Sequence, residues 1–193
     1  DEYKSGKKTL VSPLSVFTAL AMTQNGAEDR TLSEMQKTLG GLDRDVLNAY
    51  MNAYLAELTG KDSALKCANS LWIDSRLDVK ASFLQKNADF YSAQAYKADF
   101  TRKNTVNEIN SWVNKNTNGM IKKLVDEFDP LTVMVLMNAL CLEAEWDNPY
   151  TDNCVREGTF KNAKGNLVKA EYMYSQETEY IETENATGFV KYY

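Results

Sequence analysis

The chain has 193 residues, 44% of them hydrophobic, a net charge of −5 and a sequence pI of about 4.9. That suffices for one good-sized core or two small ones, and the charge is wrong for a nucleic-acid or anionic-membrane surface. Histidine is absent, which excludes a Ser-His-Asp triad, a Cys-His pair and a His-containing zinc site. Cys67, Cys141 and Cys154, with no Cys-x-x-Cys and no Gly-rich phosphate loop, form neither a disulfide framework nor a good metal-ligand set.

Asp1 to Lys8 reads as a polar end, and Thr9-Leu10-Val11 as a short strand. Ser12-Pro13 then sets a helix start, with Ser12 at N-cap and Pro13 in the first turn. Leu14, Phe17, Leu20 and Ala21 share one face of that helix, small Ser15, Ala19 and Ala21 permit close packing, and Asn25-Gly26 ends it. Thr31 to Leu39 predicts a second helix, with Thr31 and Glu34 as a capping box and Gly40-Gly41 as its end. Residues 43–58 predict a third, presenting Val46, Leu47, Tyr50, Met51, Tyr54, Leu55 and Leu58. Leu65 to Ile73 reads as a strand, Ala81 to Tyr91 as a helix, and Ala93 to Lys97 as a short edge strand. Asn104 to Asn116 is a helix with Val106, Ile109, Trp112 and Val113 on one face, closed by Thr117-Asn118-Gly119.

Thr132 to Leu142 carries no charge, and only Thr132 and Asn138 in it are strongly polar. The run is too short for a membrane-spanning helix. Continuous apolar character predicts a central strand of a large sheet, with a buried helix as the competing reading. Asn138 needs partners, because its amide left unpaired in a core costs about 1–3 kcal/mol. Glu143-Ala144-Glu145-Trp146 alternates, as a strand does when one face meets water. Cys67 and Cys141 lie in apolar runs and read as buried thiols, a bridge between them being the minor alternative; Cys154 reads as an exposed loop thiol. A hairpin turning at Asn162 to Asn166 joins Thr159-Phe160 to Gly165–Met173. Strands over Glu179–Glu184 and Gly188–Tyr193 flank a turn at Asn185-Ala186-Thr187, itself a glycosylation triplet. No internal repeat or Pro/Gly/Ser linker marks a domain boundary.

Several of these segments together resemble one family. Ser12-Pro13-Leu14-Ser15 with Gly26-Ala27, Ala68-Asn69-Ser70-Leu71-Trp72, Ile109-Asn110-Ser111-Trp112-Val113 with Thr117-Asn118-Gly119, Asn138-Ala139 with Trp146, and the Phe160…Met173 hairpin occur in the order found in serpins. The chain resembles the N-terminal portion of that fold, and bacterial members in its compact loops. The implied fold class is α+β, a partial serpin domain over 1–193: a helical region packed on the main β-sheet, with strands of the smaller sheets. The resemblance assigns Ser12, Ser15 and Asn138 to the shutter beneath the sheet and Trp146 to the breach where the sheet opens. It makes the helix bearing Trp112 the one that crosses the front of the sheet.

The resemblance further implies suicide inhibition of serine-type, and secondarily cysteine-type, endopeptidases. A protease cleaves an exposed loop, which inserts as a new strand of the main sheet. The reactive-centre loop has no counterpart in these residues, so the expectation is a piece of a longer protein, since unpaired sheet edges invite aggregation. The expected role is not enzymatic. No cofactor, metal, nucleic acid or membrane is expected; the partner is a target protease, and the protein is a monomer. The helix of residues 43–58 has Arg44 among Asp43, Asp45 and Glu57, so no heparin site is expected. Localisation is expected to be extracellular, with a cytoplasmic member as the alternative. A non-inhibitory serpin (chaperone, carrier or storage protein) is the rival reading, and an unrelated hydrolase using Glu143 and Glu145 the remote one.

Overall fold

A computed structural model describes residues 11–193. The expected polar end and most of the Thr9-Leu10-Val11 strand lie outside the described residues; Val11 itself is exposed and irregular. The described chain forms two compact units, Ser12–Glu143 and, together with Val11, Ala144–Tyr193.

The first unit is built on a three-stranded sheet of order β2-β1-β3. Strand β1 (Leu65–Asp74) is the middle strand. It pairs parallel with β2 (Gln94–Ala98), Trp72 opposite Tyr96. It pairs antiparallel with β3 (Met134–Leu142), Asn69 opposite Asn138. Side chains alternate across a strand, so two cores form. On one face Leu71 and Ile73 of β1 meet Ala21 and Met22 of α1 (Pro13–Gln24), Leu47, Met51 and Leu55 of α3 (Arg44–Leu58), and Phe83 and Tyr91 of α4 (Ala81–Tyr91). On the other face Trp72 and Ala139 pack with Ile109, Trp112 and Val113 of α5 (Lys103–Asn116) and with Phe100.

The helix starts follow local chemistry. Ser12 Oγ accepts the Ser15 N–H at 3.2 Å with Pro13 in the first turn, as predicted for α1. Asn118 and Gly119 take positive φ (48° and 81°) just past α5, and the Gly119 N–H closes onto Asn114 O at 2.8 Å. Helix α2 (Asp29–Thr38) departs from expectation. The Leu32 N–H bonds to Glu28 O, so the helix begins earlier and Thr31 lies inside its first turn rather than capping it. On α3 the buried stripe is narrower than expected: Leu47, Met51 and Leu55 point inward, whereas Val46, Tyr50 and Tyr54 are exposed.

Strand β3 is shorter than the apolar run that predicts it. Among the described residues it has one strand neighbour, β1. It starts at Met134, and Leu131 before it is 85% exposed. Its ladder also stops at Leu142, opposite Leu65, the first residue of β1. Beyond that point only Ala64 O receives the Glu143 N–H, so Glu143 to Trp146 has no partner to continue a strand and is irregular.

The second unit holds two hairpins. Strands β4 (Val155–Lys161) and β5 (Leu167–Met173) pair antiparallel, with Gly158 opposite Ala170. Asn162 Oδ1 accepts the N–H groups of Lys164 and Asn166 at 3.0 Å each, which closes the predicted turn. Strands β6 (Tyr180–Glu182) and β7 (Thr187–Phe189) pair around the turn that carries Asn185, and both are shorter than expected.

All three cysteines are free. Cys67 lies opposite Leu140, so its side chain and that of Cys141 project from opposite faces of the sheet, and a bridge between them is geometrically barred. Cys154 is half-buried rather than exposed.

Candidate functional site

The residues singled out by sequence fall in both units. Ser12, Ser15 and Asn138 belong to the first, Trp146 to the second.

Asn138 sits where two strands meet on the α1/α3/α4 face. Its Nδ2 donates to Asn69 Oδ1 at 2.7 Å and to Cys67 Sγ at 3.3 Å. Its Oδ1 is buried and has no hydrogen-bond partner among the described residues. Asn69 in turn donates from Nδ2 to the Tyr91 carbonyl at 2.8 Å, tying β1 to the end of α4. The pair therefore stitches β3 to β1 to α4 by side chains, in addition to the backbone ladder. Burial pushes the Cys67 thiol above its ordinary range, against the opposing hydrogen bonds from Asn138 and Asn69. That thiol stays neutral and accepts weakly.

A second buried set continues from Tyr91. Its hydroxyl donates to Asn48 Oδ1 at 2.8 Å. Asn48 Nδ2 donates to Asn25 Oδ1 at 2.7 Å, Asn25 Nδ2 to Asn87 Oδ1 at 3.1 Å, and Asn87 Nδ2 to the Phe83 carbonyl at 3.0 Å. Burial holds the Tyr91 phenol well above its usual range, so it is a donor at any ordinary pH. Asn48 and Asn87 were not singled out by sequence, and Asn25 only as a helix end. The available signal was an Asn beside Leu47 and Met51 on an otherwise apolar helical stripe, the pattern of a polar group with buried partners.

Helix α1 packs against β3, yet neither Ser12 nor Ser15 is joined to Asn138 by a hydrogen bond among the described residues. Ser12 Oγ is occupied as the N-cap acceptor, and both serines are half-buried. The described geometry thus places Asn138 with Asn69 and Cys67, and the two serines at the start of the helix lying on the same strand.

Trp146 stacks on Tyr193 with ring centroids 4.7 Å apart and planes at 14°. The Asp147 N–H bonds to Tyr192 O at 3.0 Å, so the backbone after Trp146 is held to the same segment. Lys191 Nζ lies 5.7 Å from the Trp146 ring centroid and 4.6 Å from that of Tyr150.

Neither cluster is built for bond-making chemistry. Each supplies neutral amides, a neutral thiol or an aromatic stack, the materials of a latch. Glu143 Oε2 accepts from Asn118 Nδ2 at 2.6 Å, and the strand that would have put Glu143 and Glu145 on one face has ended at Leu142. Among the described residues no group of three or more acidic or cysteine side chains is placed to hold a metal ion, and no helix is long and apolar enough to cross a membrane.

Comparison with known proteins gives a consistent result. A family model described as Serpin (serine protease inhibitor) matches residues 2–191. Serpin-ZX of Arabidopsis thaliana is 31% identical over 181 residues, covering 89% of this chain and 46% of the relative. Thyroxine-binding globulin of Sus scrofa is 30% identical over 183 residues, covering 90% and 44%. The thermophilic serpin tengpin in its native state is 44% identical with a TM-score of 0.86, covering 95% of this chain and 48% of that one; in its latent state the values are 42%, 0.84, 98% and 53%. The chain spans about half the length of the curated relatives it matches.

Proposed function

The chain belongs to the serpin family, and on that premise we propose that the whole protein inhibits serine-type endopeptidases as a suicide substrate, with cysteine-type enzymes as a second target class. The protease's nucleophile attacks a carbonyl in an exposed loop outside these residues. The peptide C–N bond breaks, the amine leaves with the nucleophile's proton, and an ester to a serine enzyme, or a thioester to a cysteine enzyme, remains. The cleaved loop then enters the main sheet beside β3 and carries the protease with it.

The observation that supports this reading is the state of β3. It is held to β1 by its backbone ladder and by the Asn138–Asn69 side-chain bond. A strand entering on its other side would leave that pairing intact. Ser12, Ser15 and Asn138 act in this reading as the shutter and Trp146 as the breach. The family is one of inhibitors, not catalysts, and the proposed role is non-enzymatic. No heparin site is proposed, since Arg44 of α3 donates to the Ala27 carbonyl at 3.3 Å and stands beside Asp45. The protein is proposed to act as a secreted monomer.

A carrier role is the second reading, supported by the relative named thyroxine-binding globulin. One experiment separates the two. The whole protein is incubated with a panel of serine proteases and run on a denaturing gel. A covalent protease–protein band supports inhibition. Cleavage without such a band turns the assignment to a non-inhibitory serpin.

A further inference from the structure

The surroundings of Trp146 contain a residue that neither the sequence motifs nor the family reading assigns. Lys191 is a long, strongly hydrated cation, yet its side chain is only 9% exposed. Its ammonium is bonded to Glu177 Oε1 at 2.7 Å, and the Glu177 side chain is itself 19% exposed. Glu177 Oε1 also accepts from Ser175 Oγ at 2.6 Å, and Ser175 Oγ lies 3.2 Å from the Tyr150 hydroxyl. The ammonium therefore closes a ring: over Tyr150, bonded to Glu177, through Ser175 and back to Tyr150. The remaining side of Lys191 faces Trp146, which Tyr193 covers from its own stack.

A partly desolvated ion pair depends on good geometry and on further bonds to its partners; here the 2.7 Å bond is short and Ser175 also donates to the carboxylate. The bond to Glu177 raises the Lys191 ammonium above its usual range, and the same bond, with that from Ser175, lowers the Glu177 carboxyl. The pair is thus charged throughout the ordinary pH range. A charged ammonium above an indole face is attracted to the ring quadrupole, so its placement constrains the indole as well as the cation.

We propose that Lys191 is the positioning residue of Trp146: held by Glu177 and seated over Trp146 and Tyr150, its ammonium fixes the indole in the orientation stacked on Tyr193. Any consequence for sheet opening rests on the breach role assigned to Trp146 above; the positioning itself does not.

The test uses the whole protein and steady-state tryptophan fluorescence. Trp146→Phe, made in each background and subtracted from its parent, isolates the Trp146 signal from those of all other tryptophans. Lys191→Met removes the charge and keeps the stem, and Lys191→Arg restores the charge. The expected result is a red-shifted, more acrylamide-accessible Trp146 in Lys191→Met, corresponding to a roughly fivefold fall in the docked-to-undocked ratio, with the signal left after subtraction unchanged and Lys191→Arg close to wild type. If Lys191→Met does not fold, Glu177→Gln keeps the shape, removes the anchoring charge and is expected to give the same shift. A Trp146 signal unchanged in the folded variant, or a change shared equally by the other tryptophans, overturns the proposal. The rate of covalent complex formation is measured alongside. A shifted Trp146 signal with an unchanged rate leaves Lys191 as the positioning residue and removes Trp146 from the breach role.

Discussion

The proposed lock centres on one side-chain amide, that of Asn138, which joins β3 to β1. Asn138→Ala deletes the donor to Asn69 Oδ1 and Cys67 Sγ and leaves a buried acceptor without a partner, a loss of about 1–3 kcal/mol. The expected outcome is a lower thermal midpoint and a rise in polymers by size-exclusion chromatography; an unchanged midpoint and an all-monomer profile would remove Asn138 from the lock. Asp74 gives a separate, pH-dependent handle. This buried carboxylate is gripped by Arg76 through Nε at 2.7 Å, Nη2 at 2.9 Å and the Arg76 N–H at 2.8 Å. Those bonds, side chain first and backbone next, hold its pKa at about 2, below the ordinary 3.8. The folded value lies below the unfolded one, so the contribution is complete above the unfolded value and is lost as pH falls toward about 2. Denaturant melts of wild type and Arg76→Met should differ at pH 5 and converge toward pH 2; curves that stay parallel down to pH 2 contradict the assignment. Of these residues Asn138 was legible in the sequence, because a lone amide in an eleven-residue uncharged run demands a partner. Its actual partners were less so, since Asn69 and Cys67 are about 70 positions away and pairing register is a property of the folded sheet.

At the scale of elements, the readings that succeeded rest on local chemistry. Ser12-Pro13 starts α1, and Asn118-Gly119 ends α5, because capping and left-handed φ are settled within a few residues. Thr31 and Glu34 imitate a capping box, yet the helix had already begun at the Glu28 carbonyl. The apolar run 132–142 reported correctly that β3 is covered on both faces, by the α1 cluster on one side and the α5 cluster on the other. It could not name the neighbouring strands, because facial cover and strand neighbours are independent, and only the former leaves an apolar pattern. Ser12 has two assigned roles that one comparison separates. Ser12→Ala should cost about 1 kcal/mol through the lost cap alone, and Ser12→Asp, which caps equally well, should restore it. A full loss in Ser12→Asp would show that the serine does more than cap.

For the whole molecule, the central claim is that β3 stands beside the place where a strand enters. The Trp146 cluster and the asparagine stitch are the two devices that would govern that entry. Neither was visible as a cluster in the sequence: Lys191 and Glu177 lie 45 and 31 positions beyond Trp146, and no local pattern links them. The most direct test is hydrogen–deuterium exchange of the whole protein before and after cleavage by a target protease, read at residues 134–142. Slower exchange along β3 is expected after cleavage, as the inserted strand protects the amides beside it, together with a higher thermal midpoint. Exchange at residues 134–142 that is unchanged by cleavage would contradict insertion beside β3 and, with it, the inhibitory mechanism.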